Sequence, residues 1–239
     1  MHGRGEHLAE IPALIRRLGA AAAGIEVLLC PPAPYIEAAA KVAAGTAVMI
    51  GGQDCSAVQA DSARTGEISA AMLADSGARY VILGHSERRA QYGESDALVR
   101  LKAEAALQAG LIPIICVGET KAERAAGKAL DVVGAQVRES SPETAENLVI
   151  AYEPLWCVGA DRTPTADEIT AMHALIRTVL AHRFGPEAEA MRVIYGGAVN
   201  AQNAPEVFSC PGVDGALVGR ASLKAADFAA IILAHPAAA

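Results

Sequence analysis

Short apolar runs and segments of helical periodicity alternate along the whole chain, and that alternation restricts the fold more than any other feature. Ile25 to Cys30, Thr46 to Gly52, Tyr80 to Leu83, Ile112 to Val117, Leu148 to Tyr152, Arg192 to Tyr195 and Gly215 to Val218 are strand-like and bounded by Gly, Pro or polar residues. Between them, apolar residues recur at helical spacing in His7 to Leu18, Pro34 to Ala44, Glu67 to Ser76, Asp96 to Gln108, Leu130 to Arg138, Ala166 to His182, Ala201 to Phe208 and Ser222 to Leu233. Strands that are apolar nearly throughout are buried on both faces, so they pair in parallel with helices packed outside.

The count is about seven strands and eight helices, starting on a helix. A closed (β/α)8 barrel needs eight strands, each ahead of its helix, so the strand to be missed lies before Met1. An open doubly wound sheet tolerates seven strands and is the rival architecture. No linker, composition shift or solenoid-type repeat divides residues 1–239, which read as a single domain. With 52% hydrophobic and 20% charged residues the chain can bury a large core.

A net charge of −7 argues against a nucleic-acid or anionic membrane partner. No apolar run is long enough to span a membrane, and the polar MHGRGEHLAE is no signal peptide, so a cytoplasmic protein is expected. The five cysteines are widely and irregularly spaced without a CxxC, which indicates neither a disulfide framework nor a metal site. GxGxxG is absent, and no cofactor is implied.

Four strand ends carry the residues suited to chemistry. In LVIAYEPLWCVG, Glu153 follows a buried strand just before a Gly-containing loop, a sound place for a general base; a strand-capping acid reads the same way. In VILGHSERR, His85 stands where a strand gives way to a helix N-terminus, whose amides and dipole disfavour an imidazolium. A neutral imidazole there can donate to a carbonyl oxygen. Glu87 and the Arg88-Arg89 pair also read as a solvated charge run, the arginines as structural. Gly196-Gly197 and Gly219 each follow a strand and precede a helix, where backbone amides can approach an anion; tight turns with no ligand look alike.

GHSERR, AYEPLW with its Gly-containing loop, YGG and LVGRASL, in this order, resemble the triosephosphate isomerase family over essentially the whole chain. The resemblance implies a TIM (β/α)8-type barrel, a small-molecule triose phosphate as substrate, and a homodimer in which Gln53 to Thr65 inserts into the neighbour. By the same resemblance Glu153 is the base and His85 the neutral electrophile, a pairing known for the family and not dictated by this sequence. Backbone amides of Gly159, Gly197, Ala198, Gly219 and Arg220 would hold the phosphate dianion. Trp156 to Thr163 would be a lid that excludes water.

The chain departs from the family pattern at its start. There the family has a strand ending in an asparagine and a catalytic lysine; Met1-His2-Gly3 resembles the residues just after that lysine. None of Lys41, Lys102, Lys121, Lys128 and Lys224 falls where it would replace it. Strongly impaired activity is therefore expected, since one preorganised electrostatic partner is worth on the order of 10²–10³ in rate. Glu87 resembles the carboxylate that pairs with the lysine; if buried, it should find another partner or have its pKa raised. The strands flanking the gap should lose a neighbour. Ala198 stands where the family commonly has serine, Asp161 at a lid position usually glycine, and Pro164 near the lid's C-terminal hinge. A non-catalytic protein that keeps the fold and binds phosphate is the alternative.

Overall fold

The computed structural model describes residues 2–144, 147–157 and 162–238. In chain order its elements are α1 (Glu10–Leu18), β1 (Val27–Leu29), α2 (Ile36–Ala43), β2 (Val48–Gly52), α3 (Ala70–Asp75), β3 (Tyr80–Leu83), α4 (Ser86–Tyr92), α5 (Asp96–Gln108), β4 (Ile112–Val117), α6 (Lys121–Ala125), α7 (Ala129–Ser140), β5 (Val149–Tyr152), α8 (Ala166–Phe184), β6 (Arg192–Tyr195), α9 (Ala204–Ser209) and α10 (Ala225–Leu233). The six strands are all parallel, and their spatial order is their order in the chain. A doubly wound sheet reverses strand order at a switch point. Here there is no reversal, as in the (β/α)8-type barrel expected from the sequence.

Side-chain alternation along the strands divides the core in two. Val81, Leu83, Ile115, Val117, Ile150 and Val193 face the helices and join one large cluster with the helices' apolar stripes. Tyr80, Ile114, Cys116, Val149 and Ala151 point the other way and pack with Leu28, Met49, Ile82, Ile194 and Leu217. Period-2 alternation on a sheet curled about its own inner face produces this separation.

The expected strand Gly215 to Val218 continues the sheet in reduced form. Ala216 makes a single parallel bridge to Tyr195; Tyr195 N–H donates to Gly215 O and Leu217 N–H to Tyr195 O, both at 2.9 Å. Among the described residues this segment pairs only with β6, and β1 pairs only with β2. Outside these two edges α1 packs on α10, and Glu10 accepts from the Ala225 amide (2.9 Å) at the first residue of α10 and from Lys224 (3.1 Å). At the strands' N-terminal end, Glu26 accepts from the Tyr80 hydroxyl (2.9 Å) and pairs with Arg192.

Candidate active site

Parallel strands of this fold present their C-terminal ends to one side, where βα loops converge. β5 delivers Glu153 there, its backbone anchored on both flanks: its own amide donates to Val117 O, and the Gly196 amide donates to Tyr152 O, each at 2.7 Å. β3 delivers His85 through Gly84, whose φ of +62° turns the chain sharply out of the strand. His85 then caps the N-terminus of α4.

The two side chains meet. His85 Nε2 lies 2.9 Å from Glu153 Oε1, and the Ser86 amide donates to Glu153 Oε2 at 2.9 Å. His85 Nδ1 accepts from the Glu87 amide at 3.3 Å, so the ring proton is assigned to Nε2, which donates to the carboxylate. Glu153 is 7% exposed. Burial pulls the His85 pKa down, but the hydrogen bond and charge of Glu153, with the charge of Glu87, outweigh it, and the net shift is upward. The sequence pointed only to the helix amides, which act against an imidazolium; the carboxylate across the strands adds the opposing pull.

Glu87 itself is solvated, its side chain 73% exposed and its Oε2 3.9 Å from His85 Nδ1, beyond hydrogen-bond range. The condition attached to it, burial without a partner, is not met. The arginines beside it are structural. Arg88 pairs with Glu94 (2.6 Å) and Asp54 (2.9 Å), while Arg89 binds Asp96 (2.6 Å), Gly84 O (2.9 Å) and Ser140 (3.0 Å).

Two residues that shape the site had no sequence signal assigned to them. A Cβ on Gly118 would stand 1.8 Å from the Glu153 carbonyl oxygen, so only glycine lets β4 pass the base this closely. Cys116 is fully buried beside Glu153; burial first, then the neighbouring carboxylate, push its thiol well above the usual range. The signal available for Gly118 was that it follows a strand, the same signal used for Gly196 and Gly219.

The anion turns are built differently from the expectation. Gly197 and Ala198 lie in a turn six or more residues ahead of α9, and Gly219 precedes a three-residue 3-10 turn, Arg220–Ser222, before α10 begins at Ala225. Gly197 and Ala198 do not reach the N-terminus of α9, and Gly219 and Arg220 open the 3-10 turn rather than α10; Asn200 Oδ1 accepts from the Gln202 and Asn203 amides, and Ser222 donates to Gly219 O. The amides of Gly197, Ala198, Gly219 and Arg220 have no acceptor among the described residues, and Ala198, Gly219 and Arg220 are exposed. A Cβ on Gly197 would stand 2.2 Å from the Tyr195 hydroxyl, whereas nothing lies within 4 Å of one on Gly219.

Of the expected lid, Gly159 and Asp161 lie outside the described residues. Trp156 is buried, with Arg124 and Arg162 stacked 4.2 and 4.6 Å from its ring. Both arginines share Glu168, at 2.7 Å each. Their hydrogen bonds and charges, with the Thr165 amide, hold its carboxyl far below the usual range, led by Arg162. No helix is long and apolar enough to cross a membrane, and no cluster of metal-ligating side chains forms, among the described residues.

The family model for triosephosphate isomerase matches residues 1–235. The chain belongs to the triosephosphate isomerase family. It is 52% identical to the triosephosphate isomerase of Afipia carboxidovorans over 238 residues, covering 99% of this chain and 94% of that one. It is 54% identical to that of Xanthobacter flavus over 221 residues, covering 91% and 88%. The crystal structure of triosephosphate isomerase from Bartonella henselae superposes with a TM-score of 0.89 at 45% identity, covering 98% of this chain and 94% of that one. Glu153 and His85 are thus set at the strand ends of an isomerase-family barrel.

Proposed function

We propose that this chain carries the isomerase site of its family, interconverting dihydroxyacetone phosphate and glyceraldehyde 3-phosphate through an enediolate. The observation that carries the reading is the 2.9 Å contact of Glu153 and His85 across two strands, beside the Gly196-Gly197 turn with its uncommitted Gly197 amide. Glu153 takes a proton from the carbon next to the carbonyl, and His85 Nε2–H donates to the carbonyl oxygen as charge develops there. In the unliganded arrangement both carboxylate oxygens are engaged, one by His85 and one by the Ser86 amide. A substrate carbonyl therefore replaces Glu153 as the acceptor for His85. That exchange removes the hydrogen bond that raises the imidazole pKa; burial and the Glu87 amide then favour the neutral ring, against the remaining carboxylate charges.

The amides of Gly197, Ala198, Gly219 and Arg220, with Gly159, take the phosphate, and residues 156–163 close over it. Glu87 stands near enough to His85 to act on it by charge. The active species is a cytoplasmic homodimer that needs neither metal nor cofactor.

The 239-residue chain should isomerise poorly, because among the described residues no lysine pairs with Glu153 or His85. Lys102 is buried against Asp54 (2.8 Å) and Glu94 (2.5 Å), Lys41 pairs with Glu37 and Lys224 with Glu10. The same observation favours a second reading, a phosphate-binding protein without turnover. Assaying isomerisation by this chain, and by one extended with a strand ending in asparagine and lysine, separates them. Turnover restored by the extension supports the isomerase; a dead extended chain that still binds phosphate supports the second reading.

A further inference from the structure

His173 plays no part in the chemistry of Glu153 and His85, yet it touches a residue leading into each of the two anion turns, Gly212 ahead of one and Tyr195 ahead of the other. It projects from α8, is fully buried, and brings Nδ1 to 3.0 Å from the carbonyl oxygen of Gly212. A carbonyl oxygen only accepts, so Nδ1 carries the ring proton and Nε2 is bare; no donor reaches that buried Nε2 among the described residues. Gly212 is the third residue of a turn closed by Val213 N–H to Cys210 O (3.2 Å). Pro211 ahead of it and its own φ of +84° mark the turn as type II. From this turn the chain runs directly into the segment that bridges β6 at Ala216 and ends in Gly219 and Arg220.

The other side of the ring faces Tyr195, with centroids 6.5 Å apart, and meets Tyr152 edge-on at 6.1 Å. The Tyr195 hydroxyl in turn lies directly beneath Gly197. One imidazole thus fixes the carbonyl that starts the route to Gly219-Arg220 and backs the ring that supports Gly197-Ala198.

We propose that His173 is the positioning residue common to the two phosphate turns, holding them at the mutual spacing an anion requires. The inference rests on the reading of those turns as the phosphate site and adds the group that sets their geometry. The reason one residue has such leverage is that the segment after Gly212 has a strand partner on only one side among the described residues, so its position depends heavily on what pins its start.

The test is titration of the full chain with inorganic phosphate, followed by amide NMR. Wild-type protein should show saturable shifts at Gly197, Ala198, Gly219 and Arg220; if it binds no phosphate, the functional reading itself falls and this inference with it. His173→Asn places an amide N–H near the position of Nδ1, His173→Gln places one near Nε2, and His173→Leu places none. Asn should keep the phosphate Kd within about twofold, whereas Gln and Leu should weaken it about tenfold, the scale of one lost hydrogen bond. If Leu fails to fold, the Asn–Gln difference still decides. Leu180→Ala, which opens a cavity elsewhere on α8, should lower the melting temperature without changing the phosphate Kd. Wild-type-like binding by Gln and Leu, or equal weakening by Asn, overturns the proposal, as does an equal loss in Leu180→Ala.

Discussion

At the residue scale, two histidines carry opposite environments and should leave opposite marks on stability. The pKa of His85 is raised in the fold, so its contribution is complete below the unfolded value of about 6.5 and is lost as pH rises through the folded value. That of His173 is lowered, first by burial, so its contribution is complete above about 6.5 and is lost as pH falls toward the folded value. Urea midpoints measured from acid to mildly alkaline pH should therefore lose part of their alkaline slope in His85→Gln and part of their acid slope in His173→Asn. A direct check on the catalytic pair is Glu153→Gln. It removes the charge that lifts the imidazole, so the His85 midpoint followed by NMR should fall below that of the wild-type chain. An unchanged midpoint would mean that the 2.9 Å contact is not what raises it.

Whether Glu153 and His85 meet was not legible in the residues themselves. The sequence marked each as a strand-end residue, which fixes the side of the sheet but not which pairs touch. The contact depends on β4 lying between β3 and β5 while its own strand end offers no side chain, since Gly118 is all that passes beneath the Glu153 carbonyl. Glu87 illustrates the converse: the resemblance gave it a lysine partner that is absent and left its state conditional on burial, and its exposure follows from standing on the open first turn of α4.

At the scale of elements, strands closed by sharp breakers are legible to the residue. Tyr80–Leu83, Ile112–Val117 and Arg192–Tyr195 are bounded as expected, because the apolar run and the ladder end at the same turn. Ile25 to Cys30 shrinks to Val27–Leu29, since β1 has one neighbour and its ends lack ladder partners. Helices α4 and α6 have no span of their own in the apolar pattern. Both are short, and α6 forms on a capping box, Thr120 with Glu123, rather than on apolar periodicity. Two glycine substitutions separate packing from function at this scale. Gly118→Ala forces a Cβ against backbone and should destabilise by about 1–3 kcal/mol in chemical denaturation. Gly219→Ala meets nothing within 4 Å, so no packing is disturbed, while phosphate affinity should fall, because the added methyl occupies the approach to the amide.

At the scale of the molecule, the run of strands has, among the described residues, two edges with unpaired ladder groups, β1 and residues 215–218, and outside them α1 packs on α10. The inner apolar cluster includes Leu28 from one edge and Leu217 from the other, and both edges present ladder groups to which an extended segment can pair. Extending the chain with such a strand should raise the melting temperature and slow hydrogen exchange at residues 27–29 and 215–218. These gains come from ladder bonds and burial, so they should be the same whether the strand ends in lysine or alanine. Isomerisation should behave otherwise. The lysine form should exceed both the alanine form and the 239-residue chain by at least on the order of 10²–10³, since on the proposed reading an ammonium beside the phosphate and the developing enediolate adds a preorganised electrostatic partner. If the alanine form matched the lysine form in rate, the benefit would be architectural, coming from better-held phosphate turns rather than from an added charge.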